Sequence, residues 1–478
     1  MASVKKNFEY NLVLTFFGYI FPLITFPYIT RVLGVEKIGA CNFVDSIINY
    51  FVLFSLLGVG SLGVREIARC KDNDKQRDIV FSNLLLFNMV MTILSITILI
   101  ICTYTISALH PYKGFLLIGI FKLLFTPLTI EWFFQGIQVF KYITVRTIIV
   151  RIIYIASLFI FVHNESDVYT YYLLTVMTIM LNAILNLSYS RHFVKLSFRC
   201  FNPSLFFVPI IVFGYYRILT SLYTTFNTFY LGITNGDEEV GFFTTATKIN
   251  SIIISIFTAF TTVMVPRVAE MLQEGKKEDL KIIADKTFSL LTIMAMPVIF
   301  LCFFCAEQIV QIIAGAGFEG SVPAFRIVIA LIMIIGIEQI VIQQFLMASK
   351  NNKTIFIVSS VGASIGLTVN FIATPTLGAI GSSIAWALSE LGVMIVGLIL
   401  LERTMKLTLS INTFLNNVIW SLLYLIPLVF IHVYINNMMY NLFLSIISVL
   451  LLFFVINCCF NPQKMIIDIA SKLLLRKK

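Results

Sequence analysis

The chain has 478 residues, 59% of them hydrophobic and only 12% charged, with a mean hydropathy of +0.95. No water-soluble domain has use for that much apolar surface, so the composition excludes soluble enzymes and nucleic-acid-binding modules and points to an all-α polytopic membrane protein. The formal net charge of +10 is then topological: it reflects which loops stay in the cytoplasm, not a nucleic-acid partner.

Fourteen apolar stretches have the length to cross ~30 Å of hydrocarbon as helices. They are 10–33, 42–63, 80–103, 113–134, 143–163, 167–190, 205–231, 240–265, 284–306, 322–348, 354–376, 378–402, 413–435 and 440–460. The first two are joined by a polar hinge, Gly34 to Gly39. No cleavable signal is expected, because the first run is too long for a signal core and no small-residue cleavage site follows it. Segment 267–286 mixes Glu270, Glu274, Glu278 and Asp279 with lysines and reads as an amphipathic surface helix. Segment 462–478 reads as a basic amphipathic tail lying on the inner leaflet. Pro22, Pro27, Pro127 and Pro297 are the expected bend points.

Loop charge supports an even number of spans. Twenty-six of the 34 lysines and arginines fall in even-numbered connections and the tails, whereas odd-numbered connections hold Arg31, Lys37 and Lys113. This asymmetry places both termini in the cytoplasm. The odd connections are too short for an external catalytic domain.

A weak internal repeat runs through the chain. Ile38-Gly39 returns as Val240-Gly241, and Arg65 as Arg267, 202 positions later. Two parallel halves of six helices each are expected, 1–200 and 201–405. The last two helices and the tail, 406–478, lie outside the repeat. In such architectures the substrate site lies where the halves face each other.

Charges inside spans are the strongest functional signal, since each costs about 2.5–3.5 kcal/mol on insertion scales. The basic set is Lys122, Arg151, Arg217, Lys248 and Arg326, with Arg31 at the end of the first helix. Arg31, Lys122, Arg217, Lys248 and Arg326 are the candidates for a cationic cavity that would hold an anionic ligand; Arg offers a fork for phosphate oxygens and Lys a point charge. Asp45, Glu131, Glu338 and Glu390 are the candidates for carrying a coupling H⁺ or Na⁺; the competing reading is that acids and bases cancel as structural pairs. Cys302 and Cys305 have redox spacing but sit in an apolar run, where helix packing is the better reading. His110, His163, His192 and His432 are too scattered to bind a metal. No catalytic constellation is present, so no enzyme activity and no cofactor beyond the coupling ion are expected.

The run Asn11, Pro22, Phe26-Pro27-Tyr28-Ile29-Thr30-Arg31-Val32-Leu33-Gly34, then Ile38-Gly39 and Asn42-Phe43, resembles bacterial oligosaccharide flippases of the Wzx type. These belong to the multidrug/oligosaccharidyl-lipid/polysaccharide exporter superfamily. Ser221-Leu222-Tyr223, Asn227, Val240-Gly241-Phe242-Phe243 and Lys248 are similar to its seventh and eighth helices, and Phe318-Glu319 through Arg326 to the start of its tenth. The resemblance implies two six-helix lobes around a central cavity. It also implies transport of an undecaprenyl-pyrophosphate-linked oligosaccharide (O-antigen, capsule or exopolysaccharide repeat unit) between leaflets, with Arg31 engaging the pyrophosphate. A glycan polymerase and a chain-length regulator are the protein partners this implies, beside membrane lipids. Many relatives carry an aspartate where this chain has Asn227. Two rivals stand beside this reading: a cation-coupled drug antiporter of the same superfamily, disfavoured because the first helix has no acid beyond Glu9 at its mouth, and a membrane glycan polymerase or glycosyltransferase, which would want substantial outer loops.

Overall fold

The computed structural model describes residues 4–196, 204–274, 277–347 and 352–459, and these contain helices and no strand. The first half comprises α1 (Val4–Leu56), α2 (Val59–Arg69), α3 (Asp74–Thr105), α4 (Lys113–Phe125), α5 (Glu131–Gly136), α6 (Phe140–Phe161) and α7 (Val168–Ser190). The second comprises α8 (Ser204–Ser221), α9 (Thr225–Asn235), α10 (Asp237–Gln273), α11 (Lys277–Phe304), α12 (Ala306–Ile313), α13 (Ser321–Val328), α14 (Leu331–Glu338), a π-helical turn Gln339–Leu346, and α15 (Asn352–Met405). Then come α16 (Ile411–Ser421), α17 (Leu425–Tyr434) and α18 (Met438–Cys459).

The halves are two pseudo-symmetric lobes, and their surface is chemically inverted relative to a soluble protein. Large apolar side chains such as Ile101, Ile372, Phe430 and Phe454 are exposed, while Asn88, Asn186, Asn227, Asn250 and Asn370 are buried. Lipid is the solvent such a surface fits, and a helix satisfies its own backbone within it.

Among the described residues, 11 helices are long and apolar enough to cross a membrane, or 12 if the pair 206–221 and 225–235, bent by 47°, counts as one span. Two of the 11, 20–69 and 353–405, are 50 and 53 residues long. At ~1.5 Å per residue each is more than twice the ~30 Å hydrocarbon thickness. The fourteen expected crossings count each of these as two.

The breaks do not fall where the prolines do. Pro22 and Pro27 lie inside α1 and Pro297 inside α11, each of which continues through them. Of the four expected bend points, Pro127 alone marks an interruption, in a short 3₁₀ turn that ends on Ile130 with φ +40°. The sharp reversals are at glycines: Gly34 (φ +72°), Gly236 (φ +87°) and Gly378 (φ +55°), a region that side chains with a Cβ avoid. The expected six-residue hinge after the first helix is thus a single residue, with helical structure resuming at once after Gly34. The expected surface helix at 267–286 is also absent as a unit. α10 runs unbroken to Gln273 and α11 begins at Lys277, so the segment is two helix ends. The basic tail 462–478 lies outside the described residues.

The repeat explains how the lobes meet. Gly34 and Gly236 are 202 positions apart, and both turn the chain into the helix that carries Gly39 or Gly241. A Cβ on Gly39 would collide with the Asp237 carbonyl oxygen; one on Gly241 would collide with the Val35 carbonyl oxygen. Val35 and Asp237 are again 202 apart, so the contact is isologous, residue i on j and j on i, as a two-fold axis requires. Asn42 Nδ2 donates to Thr244 Oγ1 at 3.1 Å, one more pair with that offset. At the same end Tyr112 donates to Asp237 at 2.8 Å across the lobes. At the opposite end Gly58 packs on Gly214 and Ile210, and Arg65 lies 5.3 Å over the Phe213 ring. The last helices do not join this interface: Tyr424, Leu428 and Val449 pack on Phe300 and Phe304 of α11.

Substituting Gly39→Ala is expected to destabilise the protein by about 1–3 kcal/mol through overpacking. Gly60→Ala should be neutral or stabilising, since its Cβ would meet Arg217 Nη1 at an ordinary 3.7 Å. Thermal unfolding of both variants in detergent checks the difference.

Candidate functional site

Between the two end contacts lies a cavity of roughly 340 Å³. α1 contributes Asn42, Asp45, Ser46 and Asn49; the bend before α9 and α9 itself contribute Thr224, Thr225 and Thr228; α10 contributes Phe243, Thr244, Thr247 and Ser251; α15 contributes Trp386. Both lobes therefore wall it. Its α10 residues recur at helical spacing, which puts Lys248 on the same face as Thr244 and Ser251. Lys248 is exposed although it lies well inside a span, and Asp45 is the acid that acts on it electrostatically.

Lys122 Nζ lies 2.9 Å from Asp45 Oδ1, and Tyr172 donates to the same oxygen at 2.9 Å. Lys122 and Asp45 are thus partners, with Asp45 at the cavity wall and Lys122 behind it. Arg217 is exposed on α8, its guanidinium facing Gly60 of the other lobe, with no carboxylate within salt-bridge distance among the described residues. The five basic candidates do not converge. Lys122 and Lys248 gather around Asp45, and Arg217 stands nearer the Gly58 end.

Arg31 and Arg326 are elsewhere. Arg31 donates to Pro27 O at 2.8 Å within α1, and across the lobes to the Ile312 and Ile313 carbonyls at the end of α12. A guanidinium on the last carbonyls of a helix meets the negative end of its dipole. In this conformation Arg31 is a clasp between lobes. Arg326 pairs with Glu307 at 3.4 Å and lines a separate cavity of about 480 Å³ with Gln311, Gly315 and Glu319.

The four acids also separate. Glu131 pairs with buried Arg146 at 2.8 Å, and Arg151, which sits 5.7 Å over the Phe21 ring, lies nearby. Glu338 and Glu390 instead lie close enough to act on each other electrostatically. Glu390 also accepts from Trp386 Nε1 at 3.0 Å, which links the acid pair to the cavity wall. Tyr216 and Tyr223 are the other titratable side chains in its field. Glu338 closes α14 at the start of the π-helical turn, an irregularity common at functional sites.

Several residues that the sequence does not single out complete the site. Asn227 accepts from Asn370 Nδ2 at 2.6 Å, and Thr374 donates to Asn370 Oδ1 at 2.9 Å and meets Ser382 at 3.2 Å. This neutral network ties α9 to both arms of α15, so the residue in place of the relatives' aspartate is engaged without charge. Glu239 accepts from Ala379 N at 2.6 Å, capping the α15 arm that begins after Gly378. Trp386 has no motif to betray it; its only sequence signal is an aromatic four residues before an intramembrane acid. Cys302 and Cys305 are buried free thiols, in keeping with a packing role. No group of three or more metal-ligating side chains occurs among the described residues.

Comparison with known proteins places this geometry. The sequence model of the family described as "Polysaccharide biosynthesis protein" matches residues 4–272, and that described as "MatE" matches residues 213–372. A protein of Escherichia coli (strain K12) named "Putative O-antigen transporter" is 22% identical over 397 residues, covering 81% of this chain and 94% of that protein. One of the same name from Shigella dysenteriae is 23% identical over 288 residues, covering 59% and 71%. Among solved structures, the lipid II flippase MurJ in an inward closed conformation aligns with TM-score 0.74 at 14% identity, covering 95% of this chain and 99% of that one. An inward-facing multidrug resistance MATE family transporter of the MOP superfamily aligns with TM-score 0.65 at 14% identity, covering 83% and 94%. At such identity the likeness is one of fold.

Either Asp45→Asn or Lys122→Met alone is expected to cost about 1–3 kcal/mol, because each strands a partly buried partner. The double variant should lose less than the sum, and a double-mutant cycle from unfolding in detergent reads the coupling.

Proposed function

Because this chain belongs to the polysaccharide biosynthesis protein family, we propose that it is a flippase that carries an undecaprenyl-pyrophosphate-linked oligosaccharide from the cytoplasmic to the outer leaflet of the inner membrane. The observation that carries the reading is the polar cavity enclosed between the lobes, with Lys248 exposed on the α10 face that carries Thr244 and Ser251, and Arg217 exposed nearer the Gly58 contact. The sugar and diphosphate occupy the space between lobes while the prenyl tail stays in lipid. Rocking of one lobe against the other then opens the two ends in turn. The charge asymmetry of the loops puts the Arg65 end and both termini in the cytoplasm and the Gly34 turn outside. Arg31 then belongs to the outer clasp, and its release would free a guanidinium for the departing pyrophosphate. A glycan polymerase and a chain-length regulator are the partners expected to take up the product.

Coupling is assigned to Glu338 and Glu390. Asp45 and Glu131 are each already paired with a cation, whereas among the described residues the two glutamates have each other, Trp386 and tyrosines as neighbours and no cation within salt-bridge distance. Two carboxyls sharing a proton hold together; two buried carboxylates repel. Loss of that proton would loosen α14 from α15 beside the π-helical turn, a two-state element that a proton gradient can bias.

Deleting the gene should leave the lipid-linked repeat unit accumulating on the cytoplasmic leaflet. Arg217→Gln combined with Lys248→Gln should abolish export while the protein remains inserted; normal export by that double variant contradicts the cavity reading. Glu338→Gln and Glu390→Gln should each remove the dependence of export on the proton gradient in vesicles. Wild-type transport that persists undiminished after collapse of both H⁺ and Na⁺ gradients would overturn the assignment.

A further inference from the structure

The central cavity is lined by acceptors. Seven of its twelve residues carry hydroxyls and two carry amides. The hydroxyl protons are largely spent within their own helices. Ser46 donates to Phe43 O at 2.6 Å, Thr244 to Val240 O at 2.7 Å, Thr247 to Thr244 O at 3.0 Å, Ser251 to Thr247 O at 2.7 Å and Thr224 to Thr220 O at 3.0 Å. What these side chains have left is oxygen lone pairs. Asn42 spends its amide N–H groups on Ile38 O and Thr244, which again leaves its carbonyl oxygen. Asp45, paired with Lys122, adds a further acceptor.

A diphosphate is itself acceptor-only and finds few donors in such a lining; a sugar, whose hydroxyls donate, finds many acceptors. The one large aromatic with a polar handle, Trp386, has its Nε1–H committed to Glu390, so its ring and not its N–H is what a ligand meets. An aromatic face beside convergent acceptors suits the apolar C–H face and hydroxyl edge of a pyranose.

We propose that this chamber is a saccharide subsite, distinct from the diphosphate position, in which a sugar ring stacks on Trp386 and donates hydrogen bonds to acceptors from both lobes. The proposal rests on the flippase reading and deepens it. It divides the cargo: sugar in the acceptor-lined chamber, diphosphate toward Lys248 and Arg217. Glu390 is a positioning residue, since it fixes the indole plane. At roughly 340 Å³ the chamber is at the small end of the ~300–1,000 Å³ usual for ligand sites, so it reads part of an oligosaccharide and leaves the remainder unselected. Thr228 and Asn49 donate no hydrogen bond among the described residues and are the side chains freest to set which sugar is accepted.

The chain has three tryptophans. With Trp132→Phe and Trp420→Phe, Trp386 becomes the sole indole fluorophore of the full-length protein. The probes are the saccharide released by mild acid from the lipid-linked unit of the deletion strain, and inorganic pyrophosphate. The saccharide should shift Trp386 emission saturably and pyrophosphate should not. Thr228→Val, which keeps shape and removes the acceptor, should weaken saccharide affinity by roughly tenfold, near the ~1.4 kcal/mol of one good hydrogen bond. Glu390→Gln, which keeps an acceptor for the indole, should retain the emission shift, whereas Glu390→Leu should lose it. A saccharide that leaves the emission unchanged, or a shift driven by pyrophosphate alone, overturns the subsite while leaving transport intact. Absence of any lipid-linked saccharide in the deletion strain overturns the transport reading and the subsite together.

Discussion

The structure depends on a backbone-to-backbone contact that only glycine permits. Gly39 presses on Asp237 and Gly241 on Val35, and the four residues are related by the same 202-residue offset that relates the lobes. At these points nothing larger than hydrogen fits, and the two backbones touch directly. Directional bonds across the seam include Asn42 to Thr244, Tyr112 to Asp237, Tyr50 to the Ser221 carbonyl and the Arg31 clasp on the last carbonyls of α12. Small-residue interfaces let helices approach closely in membranes. The opposite end repeats the device with Gly58 on Gly214.

Charge is distributed consistently with that mechanism. Where a charge serves a lobe's internal structure it is paired at short range, as in Arg146–Glu131 and Lys122–Asp45. Where it stands at the seam, as Lys248 and Arg217 do, it has no carboxylate within salt-bridge distance among the described residues. The acid pair Glu338–Glu390 belongs to neither class. Among the described residues it has no cation within salt-bridge distance, it sits where α14 turns π-helical, and through Trp386 it touches the cavity wall. On the proposed reading, the Trp386–Glu390 hydrogen bond is the path by which a change in its protonation would reach the chamber.

Much of this was legible in the sequence for identifiable reasons. Apolar runs of membrane length and the alternation of basic loops report the span order, because both are one-dimensional properties. The hairpin repeat is visible because a left-handed turn and a close approach each demand glycine, so Gly34, Gly39, Gly236 and Gly241 keep their places. The partnerships were not legible. Whether Lys122 points at lipid, cavity or Asp45 depends on the rotation of α4 against α1, which no local pattern encodes. The same holds for Glu338 and Glu390, which come from different helices, and for Arg31, whose partners are backbone carbonyls of the other lobe. Prolines misled because a membrane helix with packed neighbours tolerates them. Segment 267–286 misled because helices that extend past the membrane carry charge just as surface helices do.

Alternating access requires that the Gly39–Gly241 and Gly58–Gly214 contacts take turns, one opening while the other stays closed as cargo crosses. Spin labels placed in pairs across each contact, in the full-length protein reconstituted with lipid-linked oligosaccharide, measure both distances by pulsed electron resonance. The expected result is two distance populations at each contact, with conditions that lengthen one shortening the other. Transport with both distances unchanged, or with both lengthening together, would contradict it.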